Sequence, residues 1–133
     1  MRIYLDSNVF ILFINSEVDK SFRGLFIKAR DFFENVKEQK HFLVLSKLFF
    51  REVNKIIYLD KTAVLSELFG CKIKVVNTTK NDLILSNKLN AHYPDSLHAA
   101  IAINNGCDCI VTFNIKDFSQ ISGSLNVLLP SDL

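Results

Sequence analysis

Tryptophan is absent from this chain, and proline, glycine and methionine are scarce: two, four and one among 133 residues. Twelve phenylalanines, with leucine and isoleucine, must therefore supply the core. No repeat, low-complexity tract or Pro/Gly-rich linker interrupts the sequence, so residues 1–133 are expected to form one domain. The chain also lacks a surplus of either charge: 16 Lys and Arg face 14 Asp and Glu, a net +2. That balance excludes a protein that simply coats polyanions, and any nucleic-acid contact has to come from local clustering of charge. With 49% hydrophobic and 23% charged residues, the composition is globular and excludes general disorder.

Long apolar runs are missing as well. Near the N-terminus the longest, Val9 to Ile14, is far short of the roughly 20 residues a bilayer crossing needs. Asp6, Ser7 and Asn8 interrupt the segment and no small-residue cleavage site follows, so neither a membrane anchor nor a signal peptide is expected. Cysteine is sparse and odd in number. Cys107 and Cys109 have the wrong spacing for a zinc knuckle or a redox pair, and no fourth ligand lies near. All three cysteines read as reduced, small apolar residues of a cytoplasmic protein.

What remains is an alternation of short β-rich runs with longer helical patterns. Strands are expected at Arg2–Leu5, His41–Leu45, Cys71–Val76, Cys109–Phe113 and Asn126–Leu129. Helical spacing joins Phe22, Leu25, Phe26, Ala29, Phe33 and Val36, and turns Arg23, Lys28, Arg30 and Lys37 outward. Further helices are expected at Lys47–Tyr58, Lys61–Phe69, Asn81–Leu89 and Pro94–Asn105, with Gly70 and Gly106 placed for left-handed caps. Such alternation predicts an α/β fold with a mainly parallel central sheet.

Ligands of open parallel sheets bind at the carboxyl ends of the strands. Asp6 stands at such an end, after RIYL, and Asn114 at another, after CIVTF, with Asp117 one turn further on. Taken alone, Asp6 and Ser7 are good helix caps. Glu52 is harder to dismiss. On a helical wheel Leu48, Phe49, Phe50, Val53, Ile56 and Ile57 share one face, and Glu52 falls within it. A buried carboxylate is costly unless paired, hydrogen-bonded or bound to metal, the plain alternative being a snorkelling or ion-paired glutamate. Asp95 repeats the anomaly on the inward side of PDSLHAAIAINNG, although the first turn of a helix favours an acid in any case. His98, one turn on, reads better as a packed core residue holding a hydrogen bond than as a ligand. Asp6, Glu52, Asp95 and Asp117, with Asn114 beside them, are hard oxygen donors suited to Mg²⁺ or Mn²⁺ and not to Zn²⁺. A divalent ion among them can activate water and neutralise a phosphate, so a phosphodiester or phosphoryl-transfer site is the candidate.

At this point the sequence resembles the PIN domains, and among them the VapC-like toxins of prokaryotic toxin–antitoxin pairs. The likeness rests on YLDSNVFI, the S-x5-E spacing of LSKLFFREV, the YPDSLHAAIAINNGCDCIVTFNIKDF block and a closing strand before Pro130. It implies a three-layer α/β/α sandwich, and a metal-dependent endoribonuclease that cleaves single-stranded RNA by in-line attack of a metal-activated water. It further implies that Asp6 and Asp95 are principal metal ligands, Glu52 a ligand or water-orienting acid, and Asp117 an outer ligand. Asn8 matches the polar residue that orients the first aspartate, and Thr112 the hydroxyl lining the site. Where the family often has aspartate this chain has Asn114, which removes one negative charge while Asp117 is retained. A homodimer and a small antitoxin partner are implied too. Arg51, Lys55 and Lys116, with Lys47 and the basic face of the second helix, are the RNA-contact candidates.

Other classes fit less well. A receiver-type phosphoacceptor needs an acidic pair after the first strand and a lysine after a late one, and a haloacid-dehalogenase-type phosphatase needs Asp-x-Asp where this chain has Asp6-Ser7-Asn8. The stronger rival keeps the fold but makes the protein an RNA- or partner-binding regulator with weak or no catalysis, motivated by Asn114.

Overall fold

The computed structural model describes residues 1–15, 23–121 and 123–133. Five strands, β1 (Arg2–Leu5), β2 (Phe42–Ser46), β3 (Lys72–Val76), β4 (Cys109–Val111) and β5 (Asn126–Leu128), form one sheet in the order β3-β2-β1-β4-β5. Every neighbouring pair is parallel. Helices α1 (Ser7–Asn15), α2 (Arg23–Glu38), α3 (Lys47–Ile57), α4 (Lys61–Glu67), α5 (Lys80–Lys88) and α6 (Asp95–Asn104) connect the strands, and a 3₁₀ segment, Ile115–Ile121, follows β4. The result is the expected three-layer α/β/α arrangement.

Strand periodicity sets the layers. Successive side chains alternate between the faces of the sheet. Ile3, Leu5, Leu43, Leu45, Cys109 and Val111 join a phenylalanine-rich core with Phe10, Phe32, Phe33 and Phe49. Tyr4, Val44 and Ile110 point the other way, into a second core with Leu97, Ala99, Ile101 and Phe118. The strands at the centre are buried on both faces, as parallel sheets require.

Element boundaries differ from the expected ones by one or two residues, and the reasons are local. Ser46 ends β2 and also caps α3, its hydroxyl accepting from Phe49 N–H, so strand runs into helix without a loop. Pro94 is the residue before α6 and not its first helical residue, which is Asp95. Gly106 (φ 66°) ends α6 as expected, with Gly106 N–H donating to the Ile103 carbonyl and Cys107 N–H to that of Ala102. Ile56, expected on the apolar face of α3, is 56% exposed on the rim of that stripe. Phe22 and the side chain of Arg23 lie outside the described residues. The three thiols are free, and burial pushes Cys107 up to about 12 and Cys109 to about 11, consistent with unreactive packing groups. Among the described residues no helix is long and apolar enough to cross a membrane.

Candidate metal centre

Where β1 ends, the chain turns into α1 and leaves Asp6 buried at the carboxyl edge of the sheet. The Ser7 N–H at the start of α1 helps to lower the Asp6 carboxyl, and Thr112, just past β4, donates from Oγ1 to Asp6 Oδ2 at 2.7 Å. Thr112 Oγ1 in turn accepts from Asn8 Nδ2 at 3.1 Å and from the Asn114 N–H at 3.0 Å. Asn8 therefore acts on Asp6 through Thr112, and one hydroxyl ties Asn8 of α1 and the Asn114 backbone to the first acid. Burial raises the Asp6 carboxyl, Glu52 adds to the rise, and His98 and Thr112 offset it only in part.

Glu52 comes from the inward side of α3, as its wheel position predicts. Its Oε1 accepts from Ser7 Oγ at 2.7 Å and from His98 Nε2 at 2.8 Å. Burial alone would raise this acid, but the two donors outweigh it and hold the carboxyl below its ordinary range. Glu52 Oε2 meets no hydrogen-bond donor among the described residues. His98 is buried, and its Nδ1 is bonded to the Tyr4 hydroxyl. Burial opposes its charge, yet the bonded Glu52 carboxylate raises its pKa on balance.

Ligand atoms of Asp6, Glu52 and His98 lie within 4.8 Å of one another, a spacing fit for one cation. Both ring nitrogens of His98 are already engaged, so the oxygen atoms are the available donors. Asp95, in the first turn of α6, lies outside that group but close enough to feel it. Burial, then the charges of Asp6 and Asp117, push its carboxyl up to about 6 against the pull of His98. Neither Asp95 oxygen accepts a hydrogen bond among the described residues, and Pro94 supplies no side-chain cap. A bare, half-buried carboxylate beside two others is what a hard divalent cation would relieve, and the donor set fits Mg²⁺ or Mn²⁺.

The PIN domain family model matches residues 3–124. The chain belongs to the PIN domain family. No curated protein matches the sequence. Among solved structures, it is similar to a chain of VapBC2 from Rickettsia felis bound to a DNA fragment from their promoter. The TM-score there is 0.69 at 18% identity, covering 97% of this chain and 98% of that one. It is also similar to a chain of a toxin–antitoxin complex from Klebsiella pneumoniae, with TM-score 0.59, 17% identity, and 96% and 97% coverage. At these identities the likeness is one of fold.

The remaining expected site residues of this PIN domain sit further out. Asn114 is exposed, joined to the centre through its backbone bond to Thr112. Asp117, in the 3₁₀ segment, is exposed and lines an open polar cleft with Lys116, Asn90, His92 and Gln120. Arg51 and Lys55 are exposed on α3, where their positions flank Glu52. On α2, Arg30 pairs with Asp31 at 3.1 Å and Lys37 with Glu34 at 3.6 Å, so that basic face is partly neutralised. Sequence reasoning missed the part played by Ser7, Tyr4 and Ser46 around Glu52. A tyrosine inside a buried strand was the available signal, because a buried phenol needs a hydrogen-bond partner.

Proposed function

We propose that this PIN domain is a Mg²⁺- or Mn²⁺-dependent endoribonuclease acting on single-stranded RNA, and that it serves as the toxin of a toxin–antitoxin pair. The observation that carries the reading is the set of carboxylates at the carboxyl edge of β1, with Glu52 Oε2 and both Asp95 oxygens left without donors among the described residues. A bound divalent cation supplies positive charge against the phosphate and lowers the pKa of water. Asp6 and Asp95 are the residues that hold it, with Asp6 fixed by Thr112 and Asp117 as an outer acid. Glu52 Oε2 adds its charge to the hold on the cation from beside Asp6, orients the attacking water and takes its proton, while Oε1 stays with Ser7 and His98. Attack on phosphorus in line with the 3′-oxygen leaves a 5′-phosphate on one product and a 3′-hydroxyl on the other. Arg51, Lys55 and Lys116 contact the RNA backbone. Residues 1–133 work as one cytoplasmic domain, as a homodimer silenced by a small antitoxin. The similarity to chains from VapBC2 and from a toxin–antitoxin complex supports the antitoxin partner.

The test is cleavage of labelled single-stranded RNA by the purified protein with Mn²⁺, with Mg²⁺ and with chelator. Metal-dependent products bearing 5′-phosphates are expected, abolished by chelation. RNA binding without cleavage in either metal favours the non-catalytic regulator, for which the neutral side chain of Asn114 is the motive.

A further inference from the structure

Four hydrogen bonds run in series from the first turn of α3 to Glu52. The Phe49 N–H donates to Ser46 Oγ at 3.1 Å. Ser46 Oγ meets the Tyr4 hydroxyl at 2.8 Å, and that hydroxyl meets His98 Nδ1. His98 Nε2 then meets Glu52 Oε1 at 2.8 Å. The two ends fix the direction. A backbone N–H only donates, and an ionised carboxylate only accepts. His98 Nε2 must therefore carry a hydrogen. Working from the other end, Ser46 accepts from Phe49 and donates to Tyr4, and Tyr4 donates to Nδ1. This arrangement, with a neutral imidazole in its Nε2–H form, satisfies every group. The reverse order through the two hydroxyls would leave the Ser46 proton with no acceptor among the described residues. Tyr4, Ser46 and His98 are all buried, and no buried polar side-chain atom among the described residues lacks a partner.

Such a chain is an unusual way to fill a core. Apolar side chains of similar volume would occupy the space between β1, β2 and α6 without burying polar groups that must all be matched. The distinction of this chain is where it ends. It terminates on the same Glu52 oxygen that accepts from Ser7, at 2.7 Å, so two donors fix Oε1 from α1 and α6 and Oε2 is left over. We propose that Tyr4 and His98 are positioning residues, forming with Ser46 a one-way hydrogen-bond relay that locks Glu52 by Oε1 and reserves Oε2 for the site. His98 is then an anchor for the acid and not a ligand, although its ring lies within ligand distance of Asp6 and Glu52. The edge-on contact of the Tyr4 and His98 rings, centroids 5.6 Å apart, keeps Nδ1 against the hydroxyl.

The inference deepens the reading of Glu52 as a site acid, and its experiment separates the two. First, ¹⁵N spectra of the His98 ring in the metal-free wild-type chain at alkaline pH report the tautomer directly. The relay requires a protonated Nε2 and an accepting Nδ1, and a protonated Nδ1 overturns it. Second, Mn²⁺ affinity is measured by calorimetry for wild type, Tyr4→Phe, Glu52→Gln and the double variant. Outer partners of metal-site residues are commonly worth 10- to 100-fold in affinity. Tyr4→Phe, which keeps the ring and loses only the hydroxyl, should weaken Mn²⁺ about tenfold in the wild type and by less than twofold beside Glu52→Gln. Equal losses in both backgrounds mean that Tyr4 acts on the fold at large, and they overturn the relay. His98→Gln, whose amide both donates and accepts, should retain more affinity than His98→Leu. Should Tyr4→Phe fail to fold, that ordering and the wild-type spectrum decide. If the wild type binds no Mn²⁺, the metal reading fails while the ring spectrum still judges the relay.

Discussion

Asp6 and Glu52 are each gripped by donors from neighbouring elements, Thr112 for one and Ser7 with His98 for the other. Asp95 and Asp117 carry their charges with no hydrogen-bond donor on either side-chain oxygen among the described residues. The electrostatics follow that division between Glu52, held below its ordinary range by its donors, and Asp95, pushed up to about 6. Asp6 shows that burial can outweigh hydrogen bonds and a nearby imidazole together, because its carboxyl is still raised. Hydrogen bonds thus fix where Asp6 and Glu52 point, while Asp95 has no such donor among the described residues and is the acid that added positive charge would relieve most.

The largest effect is expected at Glu52. Glu52→Gln keeps the shape and an amide oxygen that can still accept from His98, but it removes the charge and the proton acceptor, and RNA cleavage should fall on the order of a hundredfold or more with folding intact. A loss of less than a few-fold in the rate assay would remove Glu52 from the site. Next in size is the grip on Asp6. Thr112→Val leaves Asp6, Asn8 and the Asn114 N–H without their shared hydroxyl, which should cost about 1–3 kcal/mol in urea unfolding. Thr112→Ser should restore most of it.

A subtler effect comes from the bare half. The Asp95 pKa is raised on folding, so its contribution to stability is complete below the unfolded value of about 4 and is lost as pH rises through about 6. Metal-free wild type should therefore lose about 1 kcal/mol relative to Asp95→Asn across that window, the full shift being reduced by solvent screening. Thermal melts of both proteins between pH 4 and pH 7 measure it, and parallel curves would mean that neither burial nor the neighbouring acids raise the Asp95 carboxyl. The smallest change belongs to Asn114→Asp. Because Asn114 is exposed, the added charge should tighten Mn²⁺ binding only a few-fold and lower metal-free stability slightly.

Much of this was legible in the residues. Apolar alternation and helical spacing locate the strands and helices, because a doubly covered sheet leaves little room for ambiguity at its centre. Glu52 betrayed itself as an acid within an apolar face, and Asp6 by standing at a strand end. Boundaries were less legible where one residue serves two elements, as Ser46 does in ending β2 and capping α3. The relay around Glu52 was harder still. Tyr4 and His98 look like ordinary core residues until the sheet register sets β1 against α6, and contacts between residues 4, 46, 52 and 98 are tertiary facts that no local pattern encodes. Ile56 fails for a related reason. A wheel assigns it to the apolar stripe, but which edge of the stripe meets solvent depends on what packs there.

On the function proposed above, the bare acid Asp95 joins Asp6 in holding a divalent cation. Calorimetric titration of Mn²⁺ into the metal-free wild type and into Asp95→Asn tests it most directly. One site in the wild type is predicted, with affinity at least tenfold weaker in the variant, whose metal-free melting temperature is equal or higher. Undiminished Mn²⁺ affinity in a folded Asp95→Asn would contradict the account, and Asp95 would then be no more than an acid in the first turn of a helix.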